Sequence, residues 1–235
     1  MKKSLLVVLA LLMFSVSANA DMVTISGDGS AHSTWLHSGL PTNNFGGNST
    51  FRVDGGGGSD PIGRGLLKFD GVPLGAVIDS AMLTLRTNNA ETGSEDGKTD
   101  ATISVHRVIE NVNTMWSEGA VTWDTFGTVA GGQSGVDYDA VANGSIAPEI
   151  FHNTAYSIDV KSLVQEWSDG VANQGVAILA SNTNGVSFFS DESGFSPQLK
   201  ITYTAVPEPT AFLMLGLVGV GFGGTRWWKS RKTEK

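Results

Sequence analysis

The chain contains no cysteine. No disulfide can tie its loops together, and thiolate zinc sites, thioether-linked haem and thiol catalysis are all excluded. Basic residues are scarce as well: 15 Lys and Arg stand against 23 Asp and Glu, a formal net charge of −8. With the two ends set aside, residues 21–205 hold 8 basic and 21 acidic side chains, about −13. Such a surface repels phosphate backbones, which argues against nucleic acid as a partner and in favour of neutral ligands. Catalytic signatures are missing too, with no GxSxG elbow, no HExxH pair and no phosphate-binding loop. The four histidines, His32, His37, His106 and His152, lack metal-motif spacing and read as ordinary strand or surface residues.

What is present first is two distinctive ends. Residues 1–20 open with Lys2 and Lys3, run through an apolar stretch from Leu5 to Val16 and close on Ala18-Asn19-Ala20. Charged start, short apolar centre and small residues before the cut form a secretory signal peptide, with signal peptidase expected to cleave before Asp21. At the other end, in residues 206–235, Pro207, Glu208 and Pro209 precede about eighteen mainly apolar residues, Ala211 to Trp228. That length is enough for a transmembrane helix. The basic residues Arg226, Lys229, Arg231 and Lys232 would hold its end on the cytoplasmic side. These three parts in this order resemble the PEP-CTERM sorting signal of Gram-negative bacteria. The resemblance implies an exosortase-type membrane protease as partner, transient retention at the inner membrane with a periplasmic domain, and release to the cell surface or extracellular matrix. A plain C-terminal anchor is the alternative.

The middle, residues 21–205, is long enough for one sizeable domain. Glycine is abundant, at 30 residues, and short β-branched runs alternate with Gly, Asn, Asp and Ser clusters. Ten strands are expected: Val23 to Ser26, Ser33 to His37, Thr50 to Asp54, Gly65 to Phe69, Ala81 to Thr87, Ala101 to Val108, Tyr156 to Asp159, Gly175 to Ala180, Ser187 to Ser190 and Gln198 to Thr204. In "AMLTLRT" the alternation puts Leu83, Leu85 and Thr87 on one face and Met82, Thr84 and Arg86 on the other. One stretch, "SIDVKSLVQEWSDG", switches to helical spacing, with Asp159 as its expected N-cap and Gly170 as its stop. Short strands without long crossover helices predict an all-β fold: an antiparallel β-sandwich with one short helix. The segment from Gly127 to Ser145 has no legible pattern.

Several phrases in order then form a family pattern: "PTNNFGG", "GRGLLKFDGVPLGAVIDSAMLTLRT", "ISVHRV", "MWSEGAVTWDTF", "YSIDVKSLVQEWSDGVANQGVAIL" and "VSFFSDESGFSPQLKITY". Together they resemble the DNRLRE domain, a jelly-roll-like β-sandwich of secreted proteins. The resemblance covers the whole middle, and departs from the pattern in the long glycine-rich loop before Arg64 and in residues 127–145. It implies a noncatalytic module of carbohydrate-binding type, with a polysaccharide as ligand.

Sugar binding commonly sets an aromatic face against the sugar's C–H face, with polar groups around it. Trp116, Trp123 and Trp167 sit in phrases that suggest packing, which leaves Trp35 as the aromatic ligand candidate. Calcium is the one cofactor the residues suggest. The acidic loop with Glu91, Glu95, Asp96 and Asp100 offers oxygen ligands, although its spacing is not that of an EF-hand. Glu118 and Asp124 flank one loop and would be the paired carboxylates if the chain were a glycoside hydrolase. Three readings therefore stand: an exported glycan-binding protein of the cell envelope or biofilm matrix, a structural or adhesive matrix protein, and a polysaccharide hydrolase.

Overall fold

The computed structural model describes residues 19–206, apart from 28, 58 and 89–97. The expected signal peptide up to Ala18, the acidic residues Glu91, Glu95 and Asp96, and the C-terminal proline motif, apolar helix and basic cluster lie outside the described residues.

Thirteen strands and one helix are described. The strands are β1 (Ala20–Ser26), β2 (Ala31–His37), β3 (Thr50–Val53), β4 (Gly63–Phe69), β5 (Ala76–Arg86), β6 (Lys98–Thr99), β7 (Ile103–Arg107), β8 (Gly144–Ile146), β9 (Ile150–Phe151), β10 (Ala155–Asp159), β11 (Val176–Ala180), β12 (Val186–Phe189) and β13 (Gln198–Ala205). The helix α1 spans Lys161–Ser168, between β10 and β11. Two antiparallel sheets carry the fold, one in the order β1-β13-β5-β10 and the other β2-β4-β11-β7-β8. Two short pairs, β12-β3 and β6-β9, complete the set. The chain passes repeatedly from one sheet to the other, so the β-sandwich expected from the alternating runs is what forms. Ala20, the last residue of the expected signal peptide, opens β1 opposite Thr204.

Alternation decides which side chains enter the core. Leu83 and Leu85 of β5 point inward with Leu199 and Ile201 of β13 and meet Ile103, Val105, Val176 and Ile178 of the other sheet. Phe51 and Phe188, with ring centroids 5.6 Å apart, fill the end of the core beneath β3 and β12. The sequence pattern starts the fifth strand at Ala81, whereas β5 begins at Ala76. An irregularity explains the difference. Ser80 pairs with Thr202 but Ile78 pairs with Tyr203, so Asp79 is one extra residue and both Ile78 and Ala81 face inward. A bulge of this kind breaks the period of two on which the strand was recognised.

The helix lies against this first half of β5, beyond the reach of β10, which pairs only with Met82 to Arg86. It supplies the missing partners there. Gln165 Oε1 accepts from Ile78 N at 2.8 Å, its Nε2 donates to Ala76 O at 3.0 Å, and Ser168 Oγ bridges Ala76 N and O. Leu163, Val164 and Trp167 enter the core as their spacing predicts. The expected N-cap needs correction, because the cap position belongs to Val160. Asp159 is the last residue of β10, and its Oδ1 accepts the first helical N–H, that of Lys161, at 2.9 Å.

The outer face of the five-stranded sheet is covered by residues 109–143. Leu36, Leu66 and Ala177 from the sheet join Val121, Trp123, Phe126 and Tyr138 in a second apolar cluster. Two polar side chains organise this segment, which from Gly127 on has no legible sequence pattern. The buried Asp137 carboxylate accepts from Thr128 N and Oγ1, Gln133 N and Asn111 Nδ2. The Arg64 guanidinium stands over the rings of Trp123 and Tyr138, at 5.2 and 5.5 Å, and donates to the carbonyls of Gly131 and Gly132. Gly131 has a φ of +80°, and a Cβ there would stand 2.5 Å from the Trp123 ring, so only glycine fits.

Candidate functional site

β2 forms the edge of the five-stranded sheet, and Ser33, Trp35 and His37 share one of its faces. Phe45, in the "PTNNFGG" loop that follows, packs on Trp35 with ring centroids 4.5 Å apart and an interplanar angle of 33°. The His37 ring meets the same indole edge-on at 5.1 Å. The half-buried Trp35 thus has a fixed orientation before any ligand arrives.

Beside it lies a cavity of about 610 Å³, lined by Trp35, His37, Arg52, Asp54, Asp60, Pro61, Gly63, Thr183 and Asn184. Arg52 Nη2 donates to Asp54 Oδ2 at 3.1 Å, and Asp54 Oδ1 accepts from Gly56 N at 2.9 Å. Asn184 is held by its carbonyl, which accepts from Thr99 Oγ1, and by its side-chain amide, which donates to Asp100 Oδ1 at 3.2 Å. Burial, and then the Arg52 charge, lower the His37 pKa, so its imidazole is neutral near pH 7. One aromatic wall therefore faces a rim that carries both donors and acceptors. Asp100, one of the candidate calcium ligands, accepts on Oδ1 from the side-chain amides of Asn182 and Asn184 and so braces this rim.

The other indoles among the described residues pack, as their phrases suggest. Trp167 and Trp123 belong to the two apolar clusters, and the half-buried Trp116 donates from Nε1 to Gln174 O at 2.9 Å. Asp124 is exposed.

Glu118 has partners that the sequence did not reveal. Its Oε1 accepts from Ser33 N at 3.3 Å, filling a free amide on the edge of β2, and its Oε2 lies 3.5 Å from His32 Nδ1. Asp191, just after β12, accepts on Oδ1 from Ser33 Oγ, and its own N–H donates to that hydroxyl at 3.1 Å. Ligand atoms of His32, Glu118 and Asp191 all lie within 4.8 Å of one another. Burial first, and then the Asp191 charge, push the Glu118 pKa up to about 7. Asp191 is only 4% exposed, which bars it from contact with a sugar ring. His32 is thus no isolated strand histidine.

The model of carbohydrate-binding module family 96 matches residues 29–203, spanning both sheets, the Trp35 cavity and the Glu118 group. A search of curated proteins found no match.

Proposed function

Since the chain belongs to carbohydrate-binding module family 96, we propose that its carbohydrate ligand is a neutral polysaccharide held in the cavity beside Trp35. One observation carries this placement. The cavity joins an indole fixed by Phe45 to Asp54, Asp60, Arg52 and Asn184, a mixture suited to a sugar's apolar face and its ring of hydroxyls. The charge of residues 21–205, about −13, disfavours polyanionic chains, and the Arg52 charge in the cavity is matched by Asp54. We take the binding to be noncatalytic, a reading supported by the match to a carbohydrate-binding module family.

The finer relationships belong to the same reading. The module is of DNRLRE type, with strands wound in jelly-roll-like order. The protein is exported, held at the inner membrane by its C-terminal helix, and passed by an exosortase-type protease to the cell surface or biofilm matrix. What supports this is the pattern of Lys2 to Ala20 and of Pro207 to Lys232. Mass spectrometry of the chain recovered from the cell surface would then find an N-terminus at Asp21 and no basic cluster. Recovery only from membranes with the tail intact would favour a plain anchor.

Affinity electrophoresis of the full-length protein through gels containing neutral or acidic polysaccharides tests the ligand class. Retardation by a neutral polysaccharide, lost in Trp35→Ala, is the expected result. Retardation by acidic polysaccharides alone, or by none, overturns the proposal, and the last outcome favours a structural or adhesive matrix role.

A further inference from the structure

The group around Glu118 lies apart from the Trp35 cavity and is not needed to explain glycan binding. We infer that His32, Glu118 and Asp191 bind one divalent transition-metal ion of the zinc class.

Donor orientation is the first argument. Each of the three side chains has one polar atom engaged by the protein and another left for an ion. His32 Nε2 meets Asp70 Oδ2 at 3.2 Å, which fixes the ring and leaves Nδ1 facing Glu118 Oε2. A carboxylate that orients a histidine through its second nitrogen is the usual support of a metal-bound imidazole. Glu118 Oε1 is taken by Ser33 N, leaving Oε2. Asp191 Oδ1 is taken by Ser33 Oγ, leaving Oδ2.

The second argument is the state of that last atom. Asp191 is 96% buried, and its Oδ2 is enclosed with no hydrogen-bond partner. A carboxylate oxygen removed from water without a partner is costly. A cation held with Glu118 and His32 removes that cost and separates two acidic groups that otherwise face one another.

Spacing and chemistry select the ion. Donor atoms in a tetrahedral shell with bonds of about 2.1 Å stand about 3.4 Å apart; His32 Nδ1 and Glu118 Oε2 are 3.5 Å apart, and all three ligand atoms lie within 4.8 Å of one another, so small side-chain movements would close the shell. One imidazole nitrogen and two carboxylates suit zinc and its first-row neighbours. Calcium takes six to eight oxygens, more than this group offers. Two of the three ligands, His32 and Glu118, also line a cavity of about 190 Å³ with Lys68 and Trp116, from which a water or a ligand oxygen would complete the shell. Bound there, the ion joins segments at positions 32, 118 and 191, supplying the cross-link that a cysteine-free chain cannot make covalently.

Calorimetric titration of the chelator-treated full-length protein with zinc sulfate tests this, with calcium chloride as a parallel probe and no polysaccharide present. One equivalent of zinc binds with micromolar or tighter affinity and raises the melting midpoint seen by circular dichroism. Asp191→Asn and Glu118→Gln each weaken binding by at least about tenfold. Asp70→Asn, at an exposed residue whose loss leaves the core intact, weakens it about tenfold. His152→Ala has no effect. No uptake of zinc, a preference for calcium, or unchanged affinity in both Asp191→Asn and Asp70→Asn overturns the inference. Because no glycan enters the experiment, its failure would leave the Trp35 proposal standing.

Discussion

Trp35 and Glu118 both lie against β2 and do different work. Replacing Trp35 by alanine removes the aromatic wall of the cavity while most of the core stays in place. Polysaccharide affinity should then fall by roughly thirtyfold or more, as when a central aromatic contact is lost, with a much smaller change in melting temperature. Glu118 should instead be visible in the pH dependence of stability. In metal-free protein its pKa, ordinarily near 4.5, is raised to about 7 by burial and by Asp191. The folded state then binds a proton that the unfolded state has released, so stability falls as pH rises from about 4.5 through 7. Melting curves of chelated protein across that window should show this slope, and Glu118→Gln should flatten it. An unchanged slope in the variant would place the titration elsewhere. In sequence, Trp35 was reached by elimination, since Trp116, Trp123 and Trp167 sit in phrases that suggest packing. The company of His32 was not legible, because its partners lie 86 and 159 positions away and share no local spacing.

At the scale of elements, α1 and the 109–143 segment make the clearest predictions. Trp167 is 2% exposed and joins the helix to the core, so Trp167→Ala should cost about 3–5 kcal/mol in chemical denaturation. Asp137 holds its segment by hydrogen bonds from Thr128, Gln133 and Asn111. Asp137→Ala leaves those donors unpaired and should cost about 2–3 kcal/mol, with faster amide exchange confined to residues 109–143. Global loss of exchange protection would contradict that locality. All ten expected strands exist, because each is a short β-branched or apolar run bounded by Gly, Asn, Asp or Ser. What escaped has physical causes: Asp79 is an extra residue that breaks the period in β5, and β6, β8 and β9 are two or three residues long, too short to display any period. The stretch beyond Gly127 is ordered by Arg64 and Asp137, which act largely through backbone groups and leave no pattern in the sequence.

For the whole molecule, two sheets bury one shared core, and the outer face of the second is covered by a further layer. That arrangement gives a cysteine-free chain a rigid edge strand on which to mount a binding wall. The pattern of short strands had already indicated an antiparallel β-sandwich. It did not reveal where the cavity lies, because the wall is assembled from β2, β3, the loop before β4 and the loop before β12. Since the proposed ligand is neutral, affinity should change little between low and moderate salt. A steep loss with salt would indicate a polyanion held by Arg52.

The most direct test follows the tryptophan indole N–H resonances of the ¹⁵N-labelled protein during titration with oligosaccharides from whichever neutral polysaccharide retards it. The Trp35 resonance should shift saturably, while those of Trp123 and Trp167, buried in the two apolar clusters, stay in place. Saturable binding that leaves Trp35 unmoved, or no binding to any neutral sugar, would contradict a glycan site in this cavity.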